Sequence, residues 1–294
     1  MISILIPCFD YNAYPLVKKI EKQALVLNIN FEIICVDDGS FSLKNEINQK
    51  INSLTNCKFF ESKKNIGRIK NRILLAEKSQ YDWVIFIDVD TTPIDDNFLK
   101  KYLSLINNNS IIFGGCCFNN LTKINGGYLR YMFGKKREEK NSELRNKKPY
   151  KYISSSNFLA KKNILLSVLS NIANSSYGND YIFGSILKDK NINILHVDNQ
   201  VLINEVDENE VFIDKTKKAL ENLMKNYREN KIKNHSISIL KLFVFLEIFC
   251  LKGFYIWTTG LFDKIINENL KSKNPNIFLF DLFRLKYLCE IKNF

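Results

Sequence analysis

The 294-residue chain has little of what breaks or pins a fold: five prolines, eleven glycines and two histidines. So little proline and glycine, beside 46% apolar residues, excludes a disordered, collagen-like or linker-rich chain. The seven cysteines (8, 35, 57, 116, 117, 250 and 289) are odd in number and include no Cys-x-x-Cys pair. They fit neither a zinc site nor a disulfide framework, and read as small buried thiols of a cytosolic protein. No apolar run is both long and clean enough for a membrane span. The nearest, residues 239–262, is interrupted by Lys241, Glu247 and Lys252. It reads first as a core helix and second as a helix lying on a membrane surface. The opening Met1-Ile-Ser-Ile-Leu-Ile-Pro is too short for a secretory signal, lacks a basic start and reads as a strand. No internal repeat is visible.

What is present is charge and alternation. The net charge of +12 attracts nucleic acid, anionic lipid or phosphorylated ligands without choosing among them. Apolar β-branched runs at 2–6, 31–36, 57–61, 83–87 and 111–113 alternate with helical spacing at 16–27, 43–54, 66–78 and 97–106. This alternation predicts a parallel sheet covered by helices on both faces. In such sheets ligands bind beyond the carboxyl ends of the strands. The loops 7–12, 37–40 and 88–92 therefore open on one edge. Residues 118–152 form a polar, aromatic and basic excursion, and from about residue 214 the chain reads as Lys-rich helix.

The run Val-Ile-Phe-Ile-Asp-Val-Asp at 84–90 delivers Asp88 and Asp90 together at a strand end. Two such carboxylates repel unless a cation lies between them or one is protonated, and oxygen donors suit Mg²⁺ or Mn²⁺. Taken alone, the pair fits an acidic turn equally well. Asp37-Asp38-Gly39-Ser40 fits a tight turn or a contact to a base or ribose. Asn65-Ile-Gly67-Arg68 fits a plain helix start or a guanidinium and helix N-terminus offered to a diphosphate. Asp180 fits a helix N-cap or a general base. His196 sits in an apolar strand, where a hydrogen-bonded core histidine is the ordinary reading; with Asp198 nearby it is also a candidate metal ligand.

In this order and spacing the segments are far more specific than any one of them. Ile-Pro-Cys-Phe-Asp-Tyr-Asn, Val-Asp-Asp-Gly-Ser, Asn-Ile-Gly-Arg with Arg72, and Phe-Ile-Asp-Val-Asp together resemble family 2 glycosyltransferases. The resemblance covers about the first 115 residues and returns at residues 177–180. Leu129-Arg-Tyr-Met-Phe-Gly, Ser154-Ser-Ser-Asn-Phe-Leu and Phe280-Asp-Leu-Phe-Arg-Leu resemble a bacterial branch that builds surface polysaccharides.

The resemblance implies an α/β, GT-A (Rossmann-like) fold: a mixed, mostly parallel sheet flanked by helices, with a C-terminal helical extension. It implies a transferase domain over 1–213, with donor half 1–115 and acceptor half 116–213, and the extension over 214–294. It implies a metal-dependent, inverting transfer from a nucleotide-diphosphate sugar, of the UDP-sugar kind, to an acceptor hydroxyl of a surface glycan. Pro7, Cys8, Phe9 and Asp10 would line the base, and Asp37 would bond it with Asp38 orienting the loop. Asn65, Gly67 and Arg72 would serve the donor. Asp88 would touch ribose or metal, Asp90 would hold Mn²⁺ or Mg²⁺ with His196 as a further ligand, and Asp180 would be the catalytic base. Cys8 replaces the family's usual hydroxyl residue, Ile73 its Asn and Asn179 the first of its acidic pair, which opens a degenerate, non-catalytic reading.

The implied partners are the donor and a glycan or lipid-linked glycan acceptor. The implied location is cytoplasmic, at the inner face of the cell membrane through contact with anionic lipid. A nucleotidyltransferase would need a Gly/Arg/Lys triphosphate loop after the first strand, which residues 7–12 lack. A nucleic-acid-binding protein would need basic–aromatic motifs, whereas the strong motifs here are acidic, so no nucleic-acid partner is expected.

Overall fold

The computed structural model describes residues 1–106, 111–119, 126–172, 177–233 and 235–291. The first half runs β1 (Ile2–Cys8), α1 (Tyr14–Val26), β2 (Phe31–Asp37), α2 (Lys44–Asn48), β3 (Cys57–Glu61), α3 (Arg68–Lys78) and β4 (Trp83–Ile87). It continues through β5 (Thr91–Pro93), α4 (Phe98–Leu103) and β6 (Ile111–Phe113). Then come β7 (Cys116–Phe118), α5 (Tyr128–Phe133) with a π-helical turn Gly134–Glu138, and α6 (Ser142–Asn146). These lead into β8 (Asn157–Lys161), α7 (Lys162–Leu169), α8 (Asn179–Asp189), β9 (Ile194–His196) and β10 (Val201–Ile203). The C-terminal helices are α9 (Asn209–Arg228), α10 (Ser238–Ile248), α11 (Lys252–Gly260), α12 (Asp263–Lys271) and α13 (Ile277–Glu290).

Seven strands form one sheet in the order β3-β2-β1-β4-β8-β6-β9, with β8 the antiparallel member. The small strands β5, β10 and β7 form a second sheet. Side chains alternate across the main sheet as the strand period requires. Ile2, Ile4 and Ile6 of β1, with Ile33, Cys35, Ile85 and Ile87, face Leu16, Val17, Ile20, Phe98 and Leu99 of α1 and α4. Leu5, Ile34, Val36, Val84 and Phe86 face the opposite core, with residues of α3, α7, α8, α9, α10 and α13. Both faces are covered, which is why the strand runs read as continuously apolar.

The mostly parallel α/β sheet is as expected. The elements β1, β2, β3 progress outward on one side, and β4 then returns to the other side of β1. This reversal opens a crevice beyond the carboxyl ends of β1 and β4. The expected break between residues 213 and 214 falls inside α9, whose Leu220, Leu223 and Met224 belong to the core beneath the sheet. The helix expected over 43–54 divides into α2 and a 3₁₀ turn, Gln49–Ser53. The apolar segment 239–262 is not one core helix. It breaks at Cys250 (φ 55°) into α10 and α11, and only one side of α10 is buried. No described helix is long and apolar enough to cross a membrane.

Candidate active site

A cleft of about 1260 Å³ opens over the ends of β1 and β4. Pro7, Cys8 and Phe9 form its edge at the end of β1. Asp10 turns away at φ 48°, where its carboxylate accepts a hydrogen bond from Ser42 Oγ (2.7 Å) and pairs with Lys44 (3.2 Å). These partners hold its pKa below the usual carboxylate range. Asp10 thus ties the β1 loop to the β2 loop and does not line the cleft.

The two aspartates after β2 divide differently from expectation. Asp37 is fully buried, and its two oxygens accept the Ser40 N–H (2.8 Å) and hydroxyl (2.7 Å). It closes the turn, lies outside the cleft lining, and its expected contact with a base is corrected on that ground. Asp38 lines the cleft instead and accepts the backbone N–H groups of Ile66 (2.8 Å) and Gly67 (2.9 Å). Burial raises its pKa and these two donors oppose the rise. The expected loop-orienting role fits this geometry.

Gly67 stands at φ 90° as the residue before α3, a backbone state nearly reserved for glycine. It lets the chain turn sharply from the exposed Asn65 into the helix. Arg68 opens α3, and Arg72 follows one turn later on the same face. Arg72 is 4% exposed, stacks on the Phe86 ring at 5.2 Å and donates to the Asp88 carboxylate. Arg68 approaches Asp88 from solvent at 3.8 Å. The second terminal nitrogen of Arg72, Nη1, is buried without a hydrogen-bond partner among the described residues. A buried guanidinium N–H left open in a cleft wall is a donor waiting for an acceptor.

Asp88 and Asp90 leave β4 in a tight turn. The Asp88 carbonyl accepts the Thr91 N–H (3.1 Å) and hydroxyl (2.7 Å), which buries Val89 and aims both carboxylates into the cleft. The Asn204 N–H donates to the Asp90 carbonyl (3.1 Å), so the end of β10 brings Glu205 beside Asp90. Burial first, and then the Asp88 charge, push the Asp90 carboxyl up to about 6. Among the described residues no group of three or more carboxylates, thiols or imidazoles could hold a metal. Two convergent carboxylates, with the charged form of Asp90 disfavoured until a cation joins it, are nevertheless a fitting donor set for Mg²⁺ or Mn²⁺, which completes its shell with substrate phosphate and water.

Across the cleft, α8 begins at Asn179, preceded by Gly178 in the left-handed region (φ 81°). Asp180 is therefore inside the first turn, not the cap. Burial raises its pKa, while the Ser155 hydroxyl and the charges of Arg68 and Arg72 oppose the rise. Asn179, which departs from the family pattern, accepts a hydrogen bond from Asn222 of α9 (3.1 Å). Asn222 also donates to the Tyr177 carbonyl (3.1 Å), fixing the start of α8.

His196 is not a metal ligand. It is 1% exposed, its Nδ1 lies 3.1 Å from Arg145 Nη1, and its Nε2 lies 2.9 Å from the Pro149 carbonyl. Arginine only donates and a carbonyl only accepts, so Nδ1 is the acceptor and Nε2 carries the proton. Burial depresses its pKa to about 4 and keeps the ring neutral. Both nitrogens are spent on structure.

The structure thus gathers Pro7, Cys8, Phe9, Asp38, Asn65, Gly67, Arg72, Asp88, Asp90 and Asp180 around one cleft, and leaves out Asp10, Asp37 and His196. It adds Tyr11, Glu205 and Arg130, to none of which the sequence assigns a role. Burial, followed by the Glu205 charge, raises the Tyr11 phenol pKa, so these two groups and Asp90 form one neighbourhood. Arg130 stacks on Phe118 (5.0 Å) and Phe212 (5.4 Å), donates to Glu138 (2.8 Å), and keeps a buried Nη1 without a partner among the described residues. A carboxylate just past a short apolar run is the only sequence signal for Glu205; Arg130 lies in the quoted 129–134 segment.

Three comparisons bear on this arrangement. No curated protein matches the chain. Among solved structures, Staphylococcus aureus TarS 1–349 in complex with UDP-GlcNAc is 16% identical, with TM-score 0.51, over 76% of this chain and 66% of that one. The mannosyltransferase PcManGT from Pyrobaculum calidifontis, in complex with GDP-Man and Mn²⁺, is 12% identical, with TM-score 0.49, over 77% and 64%. Glucosyl-3-phosphoglycerate synthase from Mycobacterium tuberculosis, in complex with Mn²⁺, UDP and glucosyl-3-phosphoglycerate, is 13% identical, with TM-score 0.48, over 76% and 79%. The chain spans about two thirds of the TarS 1–349 chain and 39% of a longer TarS chain. The likeness to TarS shows the GT-A fold. The sequence model described as glycosyl transferase family 2 matches residues 3–168, more than half of the chain. With its strand order, its paired aspartates and that match, the chain belongs to glycosyl transferase family 2.

Proposed function

We propose that this chain transfers a sugar from a nucleoside-diphosphate donor, a UDP-sugar, to the hydroxyl of a glycan acceptor. The observation that carries the reading is the cleft floor. Asp88 and Asp90 leave β4 between Arg68 and Arg72 on one side and Asp180 on the other. The open Nη1 of Arg72 suits a phosphate or ribose oxygen of the donor. Asp90, with Asp88, would hold Mn²⁺ or Mg²⁺. That cation supplies charge neutralisation for the departing diphosphate. The fold is shared with TarS, which is solved with UDP-GlcNAc, and this favours a uridine donor.

Asp180 is the base of the reaction. Its carboxylate would take the proton of the acceptor hydroxyl as the oxygen forms a bond to the anomeric carbon and the bond to the diphosphate breaks. Desolvation makes it a stronger base than an exposed aspartate, while the Ser155 hydroxyl and the charges of Arg68 and Arg72 favour its ionised form. A single displacement inverts the sugar. Arg130, Lys136, Lys140 and Lys151 line the other half of the cleft, a wall suited to an anionic acceptor such as a lipid-linked diphosphate glycan. Such an acceptor belongs to surface-glycan assembly at the inner face of a membrane.

The test is nucleoside-diphosphate release from a panel of nucleotide sugars with Mn²⁺, measured for wild type, Asp180→Asn and Asp90→Ala. Both variants should keep the fold and lose about a thousandfold in rate, the scale of a lost general base. Wild-type rates from the folded variants, or release of pyrophosphate in place of nucleoside diphosphate, would refute the assignment.

A further inference from the structure

We propose that the outward face of α10, α11 and the start of α12 docks on the headgroup–acyl boundary of an anionic membrane. The first observation is that α10 is apolar on both sides. Ile239, Leu240 and Phe243 are buried against the core, while Leu242, Phe245, Ile248 and Phe249 point to solvent. A helix apolar all round needs cover on both sides. The exposed side continues past the bend at Cys250 onto α11, where Phe254 and Trp257 are 64% and 63% exposed, and onto Phe262 and Ile265. The rings stand in pairs, Phe245 with Phe249 at 4.7 Å and Phe254 with Trp257 at 6.1 Å. A contiguous patch of this kind marks an interaction surface.

Charge selects the partner. Lys241 and Lys264 are exposed among these apolar residues, and neither pairs with an acid among the described residues. Lys241 precedes Phe245 by four positions, on the same side of α10. Lysines set among Trp and Phe on short helices lying across a surface match the boundary of an anionic bilayer. Of the acids beside this face, Glu247 and Asp263 are already taken up by Lys252 and Lys286, and Glu268 lies a turn further along α12 than Lys264, so the face keeps a net positive charge that suits anionic lipid.

The face is also continuous with the cleft. Leu242 belongs to it and lines the cleft rim beside Ile237, Ser238 and Ile239. Docking therefore sets the acceptor side of the cleft against the bilayer, and an acceptor on a lipid anchor reaches Asp180 without leaving the membrane. That last step rests on the lipid-linked acceptor proposed above; the docking does not.

The test is flotation of the full chain with vesicles of phosphatidylglycerol or of phosphatidylcholine. Fluorescence of a Trp83→Phe variant leaves Trp257 as the reporter among the two tryptophans. The expected result is a blue-shifted emission and salt-sensitive partitioning into phosphatidylglycerol. The triple variant Phe245→Ser/Phe254→Ser/Trp257→Ser should partition on the order of a hundredfold more weakly. Equal partitioning of the triple variant, absence of wild-type binding, or equal binding to phosphatidylcholine would overturn the proposal. So would a concentration-dependent dimer that the triple variant abolishes. Donor hydrolysis in detergent-free buffer is the independent reading: the triple variant should retain it. Its absence from wild type would count against the transferase reading and leave the docking result standing.

Discussion

Arg145→Met should destabilise the protein by about 3 kcal/mol, because one buried guanidinium holds the basic excursion to the sheet. Arg145 is 2% exposed. It donates to the carbonyls of Lys140 (3.0 Å), Phe113 (3.1 Å), Gly114 (3.2 Å) and Val197 (2.7 Å), and to His196 Nδ1 (3.1 Å). Gly115, at φ 85°, leaves it room: a Cβ there would meet Nη2 at 2.8 Å. Five donations to neutral acceptors at about 1 kcal/mol each set a gross loss near 5 kcal/mol, and the longer contact to the exposed Asp198 carboxylate (3.4 Å) adds little. Two effects reduce it. The carbonyls of Phe113, Gly114 and Val197 each keep a backbone N–H, and removing the cation relieves the burial that depresses its pKa. Urea unfolding followed by circular dichroism, read as a midpoint shift at constant slope, measures the net. Arg145→Lys should recover less than half, since an ammonium cannot fork across four carbonyls. A double-mutant cycle with His196→Ala should show coupling of about 1 kcal/mol. Stability of Arg145→Met within about 0.5 kcal/mol of wild type would refute the reasoning.

Neutral His196 gives the folded state a pKa near 4 against an ordinary value of 6.5. The unfolded chain then binds the extra proton between those values, so this stability is full above 6.5 and drains as pH falls towards 4. His196→Gln should flatten that limb of the stability–pH curve in urea titrations, and an unchanged slope would contradict the neutral, buried ring. Gly67→Ala forces a side chain into φ 90° and should cost about 1–3 kcal/mol in the same measurement. Because it also displaces the start of α3, the variant should weaken donor binding in a thermal-shift titration.

Strand runs, the 84–90 motif and the glycine before α3 were legible because each rests on local chemistry. The central strands are covered on both faces, so β1, β2 and β4 announce themselves as unbroken apolar runs. The three-residue strands β5 and β7 carry too few positions for a period of two to register. The division of labour between Asp37 and Asp38 was not legible, because it depends on which carboxylate meets Ser40 and which meets the backbone of residues 66–67, a contact 28 residues away. His196 misled for the same reason. Its partners, Arg145 and Pro149, lie about fifty residues earlier and nothing in strand β9 reports them. Glu205 reaches Asp90 only through the pairing of β5 with β10, two strands too short to foresee.

The hydrogen bonds from Asn222 to Tyr177 and Asn179 have a consequence for building chimeras. The turn that presents Asp180 takes its footing from α9, a helix that begins before residue 214 and ends after it. Exchanging residues 214–294 with those of a relative would also exchange the support under Asp180. A graft that keeps this helix through Arg228 and joins the foreign helices beyond it carries the cleft, Asp180 and its footing as one inherited unit.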